Sequence, residues 1–436
     1  MSSKTIKTLE PRFYSEFKCI GDQCPDHCCH SWGVTINKQA YKKLRKHKDP
    51  VVKGLANQHF RLLEDGVESK WAVIQMDSEG LCPALDEKGL CELQKRCGHK
   101  KLPHTCQEYP RLARFFGDRV EMSLVMSCPS AAENILFNYS AMMFEEQPRR
   151  PDEVMHGKAG GFTAKTIPQW LPVLREYCFE LAVDQSSTID EKLFGIGMFL
   201  KQASTRLYDL PSLHGLIDTY REVQAERKTQ EMFASLPTAD NLKWQVFAKL
   251  DNHLRHYAKK FADRKDNDGL SISTFRFQQC REQMLWLVQN EGQCAPETAE
   301  DTLLEFSEAK IEGSADLFVD ILRQAKTQYL DPYFDKNPQI LTNYVLYYLY
   351  NYQFLAANEK TPFEFYKVMV VDFFLLRCYL SGIAVNQKGI TDEWLVKLFQ
   401  SFSRRRQHNE VFVDEIETRL AECGADSAAA VFSLLK

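Results

Sequence analysis

From about Trp170 onward apolar residues return every three or four positions, as in Leu193, Ile196, Phe199 and Leu200, which places them on one face of an α-helix. Strand-like alternation is scarce there, so residues 169–436 are expected to be helical almost throughout. No period of the length that marks a solenoid is present.

The first 144 residues read as short mixed pieces. Asn37 predicts the cap of a helix running through Tyr41 and Leu44, Asp49-Pro50 breaks it, and a second helix is expected from about Val51 to Leu63. Lys70 to Met76 predicts a strand. Leu112 to Phe116, the turn pair Gly117-Asp118, and the alternating Val120, Met122, Leu124 and Met126 predict a hairpin that ends at Cys128. Ser130 followed by Glu133 has capping-box spacing and predicts a helix directly after Cys128-Pro129. Between these regions, residues 145–168 hold Pro148, Pro151, Gly157, Gly160, Gly161 and Pro168 among charges, the composition of a linker. The expected fold class is therefore mainly α: a small cysteine-rich α+β module over 1–144, a linker over 145–168 and a large helical domain over 169–436.

Composition narrows the class. A chain of 436 residues exceeds the usual reach of one hydrophobic core, and 44% hydrophobic residues with a net charge of -4 describe a globular protein with nothing to favour nucleic acid. The apolar stretches Leu341 to Ala357 and Val368 to Leu380 are interrupted by Asn343, Asn351, Gln353, Asp372 and Arg377, so no membrane span is expected. The segment MSSKTIKTLEPRFYSEF lacks the apolar run of a secretory signal, so a cytoplasmic location, where thiols stay reduced, is expected.

Of 14 cysteines, nine fall in the first 128 residues: Cys19, Cys24, Cys28, Cys29, Cys82, Cys91, Cys97, Cys106 and Cys128. Clustered, reduced thiols point to a soft metal, iron-sulfur or zinc, over magnesium or calcium. Both accept four thiolates, but the paired CxxC knuckles usual at zinc sites are absent. The eight candidates besides Cys97 exceed the need of one cluster, so either a second metal site exists or some thiols only pack. Cys97, at the end of a short helix before Gly98, is expected to be structural. His27, His30 and His104 are expected to support ligands by hydrogen bonds ahead of replacing a thiolate.

The segments FKCIGDQCPDHCCHSW, LCPALDEKGLC, LPHTCQEYPR and MSCPSAAENI resemble the bacterial flagellin lysine-N-methylase family; the cysteine order is also similar to the zinc- or iron-chelating domain family. The first resemblance implies a cytoplasmic enzyme that transfers methyl groups from S-adenosylmethionine to surface lysines of flagellin, with an iron-sulfur cluster, expected as 4Fe-4S with zinc as the alternative. It implies Cys19, Cys24, Cys28, Cys29, Cys82, Cys91, Cys106 and Cys128 as the metal cysteines, and leaves Cys97 without a counterpart.

A lysine methylase must desolvate or deprotonate an ammonium before its nitrogen can attack. Tyr344 and Tyr348, on one face of a tyrosine-dense segment, are candidates for lining such a channel, against the plainer reading of aromatic core. No glycine-rich nucleotide turn follows a strand; Gly195-Ile196-Gly197 lies inside a helical run. Cys24-x3-Cys28-Cys29 departs from the Cys-x3-Cys-x2-Cys of radical enzymes, so polar and radical transfer both stay open. Arg404-Arg405-Arg406 reads as a solvated helix end. A non-enzymatic metal carrier or interaction protein and an iron-sulfur redox module are the alternatives.

Overall fold

The computed structural model describes residues 5–26, 28–29, 33–77, 80–154, 160–262, 272–295, 315–353, 360–407 and 411–436. The chain divides into two compact units, one of Met1–Asn134, Met143–Thr163 and His256–Phe275, the other of Ile135–Met142, Ala164–Arg255 and Arg276–Lys436. Mixed α+β structure is confined to the first and the second is helical, the mainly-α class expected from the sequence.

The strands among the described residues are β1 (Ile6–Pro11), β2 (Thr35–Ile36), β3 (Phe60–Val67), β4 (Lys70–Ile74), β5 (Arg111–Gly117), β6 (Arg119–Leu124), β7 (Phe144–Arg149) and β8 (Gly160–Thr163). They form a five-stranded sheet ordered β7-β1-β6-β5-β8 and a three-stranded sheet ordered β2-β4-β3. The hairpin of β5 and β6 pairs Arg111 with Leu124 through Phe116 with Arg119, and Gly117 takes the left-handed conformation its turn requires. The stretch expected as a linker instead contributes both edge strands: β7 runs antiparallel to β1, and β8 parallel to β5. Pro148 fits β7 because an edge strand leaves one row of N–H groups unpaired anyway. Gly157 lies outside the described residues. Glu10, buried on β1, is gripped by Arg149 of β7 through bonds of 2.7 and 2.6 Å.

The three-stranded sheet packs on the helices Lys38–Arg45 and Pro50–His59. Asn37 caps the first helix by accepting from the Ala40 N–H at 2.8 Å, and Asp49 caps the second, with Pro50 in its first turn. The second helix stops at His59, short of the expected Leu63, because Phe60 already pairs with Ile74 and continues as β3. Val34, Ile36, Tyr41, Leu44, Val52, Ala56, Phe60, Ala72 and Ile74 form the core under the cysteine loops.

In the second unit the helices Ile189–Ala203 and Pro362–Asn386 each begin with a capping box, Thr188 with Glu191 and Thr361 with Glu364. Gly197 is where they close up: a Cβ there would lie 2.2 Å from Cζ of Tyr366. That accounts for the Gly195-Ile196-Gly197 pair as helix packing. Pro362–Asn386 is long and apolar enough to cross a membrane, but 94% of its apolar window is buried within the protein, as in a core helix. Its Asp372 accepts two bonds of 2.9 Å from Arg406, whose side chain is 10% exposed. The arginine run is thus not simply a solvated helix end; the buried carboxylate draws its last member inward. Arg281 and Asp251 form a second buried pair, joined by the Tyr379 hydroxyl at 3.0 Å.

Candidate metal centre and the C-terminal cavity

Local turns set the cysteines in place. Gly21, at positive φ, lets the chain fold back through a single 3-10 turn, and Cys24 closes it by donating its N–H to the Gly21 carbonyl at 3.2 Å. Cys82 donates its N–H to the Cys29 carbonyl at 2.8 Å, tying the first and second cysteine groups together. Asp86 organises the loop that returns from Cys82 to Cys91: its carboxylate accepts from Leu90 and Lys88, and its own N–H reaches the Leu90 carbonyl. Cys91 and Cys128 stand directly before the helices Glu92–Cys97 and Pro129–Phe137. Ser130 is not the cap expected after Cys128, because the helix already begins at Pro129; inside its first turn Ser130 donates its hydroxyl to the Lys18 carbonyl at 3.0 Å.

Backbone N–H groups aim at the sulfurs. Asp26 donates to Cys24, Ala84 to Cys82, Gln94 and Leu93 to Cys91, and Ala131 and Ser130 to Cys128. Cys28 lies within electrostatic reach of Cys24, Cys29, Cys82, Cys91, Cys106 and Cys128. Burial, with mutual repulsion of the thiolates, pushes Cys24 and Cys82 up to about 11 and Cys128 to about 12. For Cys29 the bond to Cys28 comes first and burial second; for Cys106 burial dominates. Such a crowd of buried thiols is electrostatically poor alone and well matched to a cation.

Cys19 is exposed at the edge of this group. Cys97 packs on the same core and is acted on by Cys91, but its sulfur lies 3.8 Å from Nε2 of His47. His104 Nδ1 lies 3.0 Å from a Glu108 oxygen. His27 and His30 lie outside the described residues. Among the described residues no group of three or more Cys, His, Asp or Glu side chains is arranged to hold a metal ion. The donor chemistry still fits a thiolate-bound metal, since soft sulfurs act on one another electrostatically and carry N–H bonds of the kind that tune cluster sites.

Tyr344 and Tyr348 sit in the core of the second unit. Tyr344 packs edge-on against Phe399, and Tyr348 donates to Asp372 at 2.8 Å. Burial holds both phenols well above their ordinary value, so they are donors and poor acceptors of a lysine proton. Sequence reasoning missed a partly open cavity of about 180 Å³ in this unit, lined in part by Asp190, Lys243, Arg377 and Phe374. Asp190, Lys243 and Arg377 are too far apart in sequence to form any motif.

Residues 175–434 match the family described as the FliB lysine N-methylase C-terminal domain. The chain is 26% identical over 415 residues to a lysine-N-methylase of Salmonella typhimurium, covering 93% of each. It is 38% identical over 145 residues to the flagellar biosynthetic protein FliU of Salmonella muenchen, covering 33% of this chain and 85% of that one. No solved structure matches it. The family match falls on the helical unit, where sequence reading found only periodicity, while the cysteine segments pointed to the same family from the other end; the chain belongs to the FliB lysine N-methylase family and is a lysine N-methyltransferase.

Proposed function

We propose that this enzyme methylates surface lysines of flagellin in the cytoplasm, using S-adenosylmethionine, and that its N-terminal module holds an iron-sulfur cluster. The observation that carries the reading is the match over 93% of the chain to a lysine-N-methylase, joined to the flagellar naming of FliU. In polar transfer, a neutral lysine nitrogen attacks the sulfonium methyl, the N–C bond forms as the C–S bond breaks, and S-adenosylhomocysteine leaves. The proton given up before attack goes to solvent, and the methylated nitrogen carries the positive charge transferred from the sulfonium. The cluster would be held by thiolates drawn from Cys19, Cys24, Cys28, Cys29, Cys82, Cys91, Cys106 and Cys128; when bound, it supplies cross-linking of the loops or placement of the cofactor.

Incubating the purified protein with flagellin and S-adenosylmethionine should add methyl mass to flagellin lysines, and no mass gain would count against the reading. Anaerobic purification with iron, sulfide and zinc analysis tests the cluster separately. Colourless protein with stoichiometric zinc would replace the cluster with zinc.

A further inference from the structure

Lys243, in the helix Asp240–Ala262, is only 7% exposed and lines the cavity of the C-terminal unit. Among the described residues no carboxylate lies within ion-pair distance of its ammonium, although other cations on the lining have partners. Arg377 is bonded to Asp190, Lys326 to Asp331 at 3.0 Å, and Arg323 to Asp320 at 2.7 Å. Asp240, three residues earlier, and Asp190, on the same lining, act on Lys243 electrostatically, but neither forms an ion pair with it. Burial first, and Arg377 second, make the charged form of Lys243 unfavourable. A buried cation with no ion-pair partner in direct contact is held at a loss unless something supplies a closer negative charge.

The rest of the lining says what that charge would be attached to. Leu322, Leu341 and Phe374 make much of the wall apolar. About 180 Å³ exceeds the roughly 150 Å³ cavity that admits benzene, so the space suits a small molecule with a hydrocarbon or thioether chain. Inorganic phosphate would meet the charge and waste the apolar wall.

We propose that this cavity binds a small aliphatic carboxylate, with Lys243 pairing the carboxylate and the apolar wall taking the chain. The amino-acid end of S-adenosylmethionine belongs to this class, and so do free amino acids and short fatty acids. The site does not depend on the methylase reading, because binding is measured without turnover: a protein that methylates nothing can pass the test, and an active methylase can fail it.

Calorimetric titration of the full chain with L-methionine, S-adenosylmethionine, hexanoate and inorganic phosphate, at matched ionic strength, provides the test. At least one carboxylate should bind the native protein, with phosphate at least tenfold weaker. Lys243→Met should weaken carboxylate binding at least tenfold without lowering the melting temperature, and Lys243→Arg should retain most of it. Where Lys243→Met does not fold, Lys243→Gln takes its place; failure of both to fold would assign Lys243 a structural role and overturn the proposal. Equal binding by the Met variant, binding of phosphate alone, or no binding of any probe would likewise overturn it. Binding of methionine and S-adenosylmethionine but not hexanoate identifies an amino-acid site within the class.

Discussion

Cys82 donates its backbone N–H to the carbonyl of Cys29 at 2.8 Å, so the first cysteine group is pinned to the loop that carries the second. Both cysteines also pack on the same core as Cys91 and Cys106. One hydrophobic core therefore holds the loops that carry these thiols. Serine at Cys29, Cys82, Cys91 or Cys106 is expected to lower the iron and sulfide content of anaerobically purified protein. Cys97→Ser, removing a sulfur that faces His47, is expected to leave that content at the native level. Cluster loss in the Cys97 variant alone would reverse the assignment.

The Asp251–Arg281 pair is buried and joined by two parallel bonds of 2.7 Å. Among the described residues, Arg281→Met leaves the Asp251 carboxylate in the core with Tyr379 as its remaining side-chain partner. A loss of about 3–5 kcal/mol is expected, as for other broken buried pairs, read by denaturant unfolding of the C-terminal unit.

Glu180 and Arg221 make bonds of similar length, 2.9 and 2.7 Å, but lie open to solvent. Glu180→Gln is expected to cost less than about 1 kcal/mol near neutral pH. The bond from Arg221 holds the Glu180 carboxyl below its ordinary 4.5, so its contribution is present above that value and fades as pH falls through the folded-state value. Native and variant stabilities should therefore converge in acid; a gap that widens there would contradict the pairing.

Gly197→Ala would drive a methyl group into the Tyr366 ring. Overpacking of this kind costs about 1–3 kcal/mol, and more where backbones must part. The Tyr366 hydroxyl is buried without a hydrogen-bond partner among the described residues, so Tyr366→Phe is expected to leave stability unchanged or raised. Thermal melts of the two variants give the comparison directly, and a stable Gly197→Ala would refute the close approach.

What could be read ahead of the structure was what local patterning encodes. The Asn37 cap, the Gly117-Asp118 hairpin turn and the helical repeat after Trp170 each arise from contacts a few residues apart, and each appears in the fold. The edge strands β7 and β8 escaped because Pro148 and the glycines read as breakers, and only partners far away in the chain, β1 and β5, make them strands. The end of the expected helix at Leu63 was lost to Ile74 for the same reason.

The sequence by itself determined the cysteine module and its family, since thiol chemistry is a property of residue type and order. Only the tertiary structure decided which thiols act on Cys28, that Arg406 turns inward to Asp372, and that Lys243 lines a cavity with no ion-pair partner among the described residues. Burial and charge pairing depend on residues that folding brings together from distant parts of the chain, and no local pattern records them.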